Sequence, residues 1–422
     1  MTNKRRVHLW APDIFGRKGG IGVFSSFLLR AIREWDESAK CRIIIKHDRA
    51  VSGKREAGSS GKREAGSGKR EAEGTTREIT KQRSEISQTK FSFAGRWPRA
   101  FRTPAYAVKL FGWAATERPD LIIATHLHFT PAANLIRKLG NIPFWTIAHG
   151  IEAWEIKDHR LRHALRHADR ILAVSNFTRV HLLNEQQLSP DRISLLPNTV
   201  DQHQFRITDK PDQLLRRYGI SREQPVILTV ARLVRSDSYK GYASVLRAMP
   251  AIRKVIPNVH YVLVGTGDDK ARVERIIDDL GLKDSVTLTG YVNDSELGAH
   301  YNLCDVFAMP SKREGFGIVY LEAMACGKPT LGGNKDGAVD ALMNGELGAL
   351  VDPDDPIEIA TTLIAILKKQ YPLPLMYEPE KLRARVLELY GYERFRSLVA
   401  SHLDEFFSAH KATARIAPAI VN

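Results

Sequence analysis

Two glutamates, Glu314 and Glu322, frame the part of this 422-residue chain with the most chemical potential. The run reads Pro310-Ser311-Lys312-Arg313-Glu314-Gly315-Phe316-Gly317-Ile318-Val319-Tyr320-Leu321-Glu322-Ala323-Met324-Ala325-Cys326-Gly327. A short apolar strand ends at Pro310, a glycine-containing loop follows, and a helical pattern opens near Gly317. Backbone N–H groups at such a helix start point outward and carry partial positive charge, which suits a phosphate. Glu314 lies in the loop and Glu322 lies two turns into the helix. Val319, Leu321, Ala323 and Met324 make this helix apolar nearly all round, so Glu322 reads as buried. A buried carboxylate needs hydrogen-bond donors, and sugar hydroxyls are good ones. A second glycine-rich turn, Lys18-Gly19-Gly20-Ile21-Gly22, follows the first strand. Asp268-Asp269 reads as a pair complementing a helix dipole rather than as a metal site.

The elements that must position these residues alternate between strand and helix. Strand patterns fall at Val7–Pro12, Arg42–Lys46, Leu121–Thr125, Phe144–Ala148, Ile171–Val174 and Ile193–Leu196. A second series falls at Val226–Val230, Val259–Val264, Val286–Thr289, Val306–Ala308, Thr330–Leu331 and Ala349–Val351. Helical patterns separate them, beginning with Val23–Trp35. Such alternation predicts parallel sheets with helices on both faces. Two series, divided by a polar stretch at 201–224, predict an α/β protein of two Rossmann-like domains facing a central cleft. Ligands of open parallel sheets sit beyond the carboxyl ends of the strands, so the active site is expected in that cleft. The expected division is 1–200, 201–390 and a terminal segment 391–422, whose helical pattern over Tyr390–His410 suits a return to the first domain. Residues 53–73 repeat Gly-Lys-Arg-Glu-Ala three times. With almost nothing apolar to bury, the stretch 50–88 reads as a flexible surface insertion.

Composition narrows the function classes. Hydrophobic residues are 43% and charged residues 26%, enough for real cores. Cys41, Cys304 and Cys326 are too few and too scattered for a disulfide framework or a zinc cluster, so a reduced, cytoplasmic setting is expected. The N-terminal residues lack the apolar core of a signal peptide, and no window suits a membrane-spanning helix. Charge is lopsided: residues 1–200 carry 35 basic and 19 acidic side chains, whereas residues 201–422 carry 28 and 29. A one-sided positive field points to an anionic partner. Aromatics do not interleave with the basic runs as a nucleic-acid platform requires, so nucleic acid is not expected. Trp97, Phe101, Tyr106, Phe111 and Trp113 lie among Arg96, Arg99, Arg102 and Lys109, a stretch suited either to a membrane interface or to packing on the sheet.

Read together, these motifs resemble a known family. Glu314 to Glu322, followed by Ala-Met-Ala-Cys-Gly, closely resembles the E-x7-E signature of retaining glycosyltransferases of family 4 (GT4), which have the GT-B fold. Val230-Ala231-Arg232-Leu233 with Lys240-Gly241 resembles that family's Arg and Lys pair, and Val264-Gly265-Thr266-Gly267 its glycine turn. Leu288-Thr289-Gly290-Tyr291-Val292, Leu303-Cys304-Asp305-Val306, Ala173-Val174-Ser175 and Leu196-Pro197-Asn198 follow in register. Ala231 stands where the family often has glycine, and Ser236-Asp237-Ser238-Tyr239 is a polar insert between the two cations.

The resemblance implies roles. Arg232 and Lys240 would hold a diphosphate leaving group. Glu322 would accept from ribose hydroxyls and Glu314 from the transferred sugar. Gly265, Gly315, Phe316, Gly317 and Ile318 would line the donor site, with backbone donors from 315–318 to the phosphates. His149 would stand near the donor sugar, and Gly19 and Gly20 would let the first loop approach diphosphate or acceptor. The implied reaction moves a hexose from UDP- or GDP-hexose to a glycan or lipid-linked acceptor, as in polysaccharide biosynthesis, with retention. No cofactor is implied beyond the nucleotide sugar as co-substrate, and no metal, because the two cations replace it. A non-catalytic nucleotide- or carbohydrate-binding protein and a nucleotide-sugar epimerase stay open as alternatives. The basic first half suggests peripheral association with the inner face of an anionic membrane.

Overall fold

The computed structural model describes residues 4–14, 19–47, 89–95 and 97–416, so the 53–73 repeat and the whole of 50–88 lie outside the described residues. The chain builds two parallel sheets. The first has seven strands in the order β3-β2-β1-β4-β5-β6-β7, with β1 Arg6–Ala11, β2 Lys40–Ile45, β3 Lys90–Phe93, β4 Leu121–Ala124, β5 Phe144–Ala148, β6 Arg170–Ala173 and β7 Ile193–Leu195. The second has six in the order β10-β9-β8-β11-β12-β13, with β8 Val226–Val230, β9 His260–Val264, β10 Val286–Gly290, β11 Val306–Met309, β12 Thr330–Gly333 and β13 Ala349–Val351. Both orders reverse beside their first strand, which opens a crevice at the carboxyl ends there.

The strands form where short apolar runs can be covered on both faces. All five residues of β5 are buried, as are all five of β9 and all four of β11. Register then aligns the strand ends. Ala11 pairs with Ile45, Ala148 with Ala173, and Val230 with Val264. Successive loops therefore leave each sheet along one edge, and these edges carry Gly19, His149, Arg232, Gly265 and Glu314.

Two strands differ from the sequence expectation. β3 was not anticipated: its Lys-Phe-Ser-Phe alternation is only four residues long and abuts the polar insertion. β12 runs on through Gly332 and Gly333, residues that interrupt a strand pattern. A Cβ at Gly333 would lie 1.9 Å from the Ser311 carbonyl oxygen, so glycine lets β12 pass close beneath the Pro310 loop.

After the helix Pro379–Tyr390 the chain turns at Gly391 into Tyr392–Ile416, which packs on the first sheet's helix Gly20–Trp35. Phe395 meets Phe24 edge-on at 5.5 Å and Phe407 stacks on Trp35 at 5.5 Å. Phe406 meets Trp145, and Arg170 pairs with Glu405 at 2.8 Å. This aromatic seam ties the end of the chain to the domain where it began.

Candidate functional site

At the edge of the second sheet, β8 runs out into Ala231-Arg232 and the short turns Arg235–Lys240, then into the helix Tyr242–Val255. Lys240 turns inward and its Nζ lies 2.6 Å from Glu314 Oε2. Burial acts to lower the Lys240 pKa, but the attraction of Glu314, Tyr239 and Asp237 outweighs it, so the ammonium is held charged above its ordinary value. Gly241 makes the turn possible: its φ is +79°, and a Cβ there would lie 2.0 Å from the Pro310 carbonyl oxygen. Arg232 is arranged differently. Its side chain is 71% exposed and pairs with Asp237 at 2.7 Å, not with Lys240 or Glu314. The two cations thus follow the same strand, Lys240 half-buried on Glu314 and Arg232 exposed on Asp237.

The glycine turn after β9 packs against this loop. Gly265 has φ +146°, and a Cβ on it would come within 1.8 Å of the Ala231 carbonyl oxygen. Gly267 is equally confined, 2.1 Å from that of Leu233. The Asp268-Asp269 pair stands at the start of the helix Lys270–Asp279, with Asp269 at its N-cap, and also ties the neighbouring elements together. Asp268 accepts the Arg235 N–H at 2.9 Å, and buried Asp269 accepts the Tyr242 hydroxyl at 2.7 Å and Arg272 Nε at 2.8 Å. A recess of about 420 Å³ beside the insert is lined by Arg235, Ser238, Asp269, Arg272 and Arg275.

The Glu314 loop leaves β11 and ends at Gly317, whose φ of +88° starts the helix Ile318–Ala325. No side chain caps that helix, so its first N–H groups face the loop. Phe316 gives only its backbone to this region, because its ring is buried edge-on against Tyr390 at 5.4 Å. Ile318 remains half-buried at the helix start. Glu322 is 9% exposed and its Oε2 accepts the Tyr301 hydroxyl at 2.7 Å. Burial pushes its carboxyl up to about 7, despite the Tyr301 bond.

The first sheet meets this loop at one point. β5 ends at His149-Gly150, and Gly315 lies so close that a Cβ on it would sit 1.7 Å from the His149 carbonyl oxygen. A Cβ on Gly150, φ +143°, would lie 2.5 Å from Gly315 Cα. Two glycines therefore bring the carboxyl edges of the two sheets into backbone contact. His149 Nε2 donates to the Thr125 carbonyl at 2.8 Å, and burial holds the imidazole down at about 4. The ring is thus neutral at pH 7, with the proton on Nε2 and Nδ1 left as an acceptor. Beside it, His126 stacks on His128 with centroids 4.4 Å apart and lies 6.5 Å from His149. A second bridge between the halves is Asp340, whose Oδ2 accepts the Phe177 N–H at the start of the helix Asn176–Gln186 (2.8 Å). Gly19 and Gly20 open the helix Gly20–Trp35 across the same edge. Both are exposed, and a Cβ on either meets nothing within 4 Å.

Lys240, Glu314, Gly315 and His149 thus converge, Arg232 and Gly265 flank them, and Glu322 lies one helix deeper. Sequence reading passes over Tyr301 and the His126–His128 pair; it marks Asp336 and Asp340 only as part of 334–340, a stretch where base and sugar contacts could fall, without assigning either a role.

Comparison with known proteins accords with this geometry. Residues 70–204 match the model of Glycosyltransferase Family 4, and residues 212–385 that of Glycosyl transferases group 1. A GDP-mannose-dependent alpha-(1-6)-phosphatidylinositol monomannoside mannosyltransferase of Mycolicibacterium smegmatis is 33% identical, over 54% of this chain and 62% of that protein. The chain therefore spans less than two thirds of that relative's length. Among solved structures, sucrose-phosphate synthase of Thermosynechococcus elongatus superposes with a TM-score of 0.75 at 18% identity, covering 96% of this chain and 100% of that one. Anabaena HepE in complex with UDP and glucose superposes at 0.72 and 16%, covering 95% and 100%. With one model on each of the two facing sheets, the chain belongs to the GT4-type glycosyltransferases of the GT-B fold.

Proposed function

We propose that this protein is a retaining, metal-independent hexosyltransferase that moves a sugar from a nucleotide diphosphate donor to a glycan or lipid-linked acceptor. The observation that carries the reading is the Lys240–Glu314 pair set against His149 and Gly315, where the two sheet edges touch. Lys240 is charged and held by Glu314; Arg232 stands exposed at the rim, paired with Asp237. Together they stabilise the charge that develops on a departing diphosphate, the role a divalent ion would otherwise fill. The uncapped start of Ile318–Ala325 adds backbone donors for the phosphates. His149 Nδ1 accepts from a hydroxyl of the transferred sugar and cannot act as an acid at pH 7.

The engagement of Glu314 and His149 supports retention. Glu314 is engaged by Lys240, so it is poorly placed as a free nucleophile. Neutral His149 would be a weak base at best, with its pKa near 4. Attack on the same face as the leaving group, with the departing phosphate oxygen taking the acceptor proton, needs neither. The donor is a UDP- or GDP-hexose. The mycobacterial relative supports GDP-mannose, and UDP in the HepE complex supports UDP-glucose. A thermal-shift screen with UDP, GDP and ADP sugars tests this: the true donor at 100 times its Kd adds roughly 2.7 kcal/mol. No stabilisation by any of them contradicts the reading.

We also propose peripheral contact with an anionic membrane through the basic first half, at the inner face. No helix among the described residues is long and apolar enough to cross a membrane. On the helix Arg99–Glu117, Phe101 is 61% and Val108 72% exposed, and Trp97 just before it is 51% exposed. Tyr106 is instead buried with its hydroxyl on the Ile44 carbonyl, and Phe111 and Trp113 pack on the core, so only part of the aromatic stretch is available.

A further inference from the structure

Beneath the Glu314 loop lies a carboxylate that the proposed chemistry does not use. Asp336 follows β12 and has no exposed surface. Its Oδ2 accepts the Glu314 N–H at 2.7 Å and the Ser311 hydroxyl at 2.6 Å, and its Oδ1 accepts the Ala338 N–H at 2.9 Å. The next residue completes the grip: the Gly337 N–H donates to the Glu314 carbonyl at 2.8 Å. Both backbone polar groups of Glu314 are therefore held by two consecutive residues of a different loop. The approach requires glycine at 337, because a Cβ there would lie 2.1 Å from the Gly315 carbonyl oxygen. Ser311 is itself held, with its Oγ 3.0 Å from the Tyr320 hydroxyl, which donates to the Met309 carbonyl at 2.7 Å.

We propose that Asp336 is a positioning residue, which locks the backbone of Glu314 so that its carboxylate stays on Lys240 and Gly315 stays against His149. The inference rests on the transferase reading, whose site it orients. Three donors aimed at two carboxylate oxygens form a closed set, and a buried set of this kind tolerates no misplaced donor. An amide in place of the carboxylate turns an N–H₂ toward at least one of those donors. Every other contact of the loop is left in place. Burial pushes the Asp336 carboxyl up to about 6, with its three donors opposing the shift and the Glu314 charge adding to it. The group is therefore mostly ionised at pH 7, the state in which both oxygens accept.

The test is Asp336→Asn, with Ser311→Ala as the milder companion that removes one donor from Oδ2. Misplacing a catalytic group by about an ångström costs up to roughly 10²-fold. For Asp336→Asn, kcat is expected to fall about 30-fold while donor KM changes less than about threefold, because Arg232 and Glu322 keep their places. Ser311→Ala should lose only several-fold in kcat. A purely structural role would move KM and Tm along with kcat. Hydrogen exchange reads the clamp without any activity: the Glu314 and Gly337 amides should be protected in the wild-type protein and exchange at least about tenfold faster in Asp336→Asn. Unchanged kcat, or unchanged exchange at these amides, overturns the proposal. A wild-type protein that uses no nucleotide sugar but shows the exchange change sinks the transferase reading and leaves the clamp standing.

Discussion

The two edges that face each other across the cleft share one device, a confined glycine such as Gly150 with φ +143° and a Cβ 2.5 Å from Gly315 Cα, and differ at the Gly19–Gly20 turn. On the second sheet, glycine is imposed by the chain itself. Cβ atoms at Gly241, Gly265 and Gly267 would lie 2.0, 1.8 and 2.1 Å from backbone oxygens. On the first sheet, Gly19 and Gly20 have nothing within 4 Å, and Gly19 has an ordinary extended φ of −123°. Among the described residues, nothing requires glycine at either position. The contrast separates a face whose turns are fixed by close backbone contact from one whose first turn is not, and it suits the proposed reading of donor on the second half and acceptor on the first. It also matches the charge, since the excess of basic residues falls on the first half.

The largest expected effect lies on the fixed side. Lys240→Ala removes the cation from Glu314 and leaves that carboxylate without its ion pair. Turnover should fall by at least roughly 10²-fold, the scale of losing one transition-state charge contact. Transfer rates near wild type would remove Lys240 from the site.

A matched pair of glycine substitutions sharpens the contrast directly. Gly241→Ala meets both a positive φ and the Pro310 carbonyl, so it should cost about 3 kcal/mol in denaturant unfolding. Gly20→Ala adds a methyl that meets no described atom within 4 Å, so it should leave stability near wild type and, on the proposed reading, still reduce transfer. Equal stability losses in the two variants would erase the distinction between the faces.

A smaller effect concerns Glu322, whose folded pKa of about 7 stands above the ordinary 4.5. Between those values the folded chain keeps a proton that the unfolded chain has released, so stability falls as pH rises through that window. Glu322→Gln cannot ionise. Its stability relative to wild type should therefore rise by about 3 kcal/mol from pH 4 to pH 8, while donor affinity drops. A difference that stays flat with pH would show that the carboxyl is not perturbed.

The smallest effect belongs to the outer surface. Trp97→Ser with Phe101→Ser should reduce co-sedimentation with anionic vesicles several-fold and leave transfer to a soluble acceptor unchanged. Binding of the wild-type protein should also weaken between low salt and about 0.5 M salt. Equal pelleting with neutral and anionic vesicles would discount the electrostatic part.

Most of the fold was legible because buried parallel strands leave continuous apolar runs, and Phe144–Ala148 and Val226–Val230 read off the sequence with their observed limits. The edge strand Lys90–Phe93 was not, since a short polar–apolar alternation beside an insertion carries little signal. In the site, residues at strand ends were legible from their position alone. Asp336, Tyr301 and Asp340 were not, because each acts through a contact across the fold: with Glu314, 22 residues away; with Glu322, 21 away; and with Phe177, 163 away. Phe316 shows the reverse limit: a motif position whose side chain serves packing on Tyr390 and leaves only backbone to the cleft.

The central claim is that two cations following one strand drive same-face transfer without a metal or a protein nucleophile. Proton NMR of the first product formed from the identified nucleotide sugar, in the presence of EDTA, tests it most directly. The account predicts product at an undiminished rate with the anomeric configuration of the donor. An inverted linkage, or activity abolished by EDTA and restored by magnesium, would contradict it.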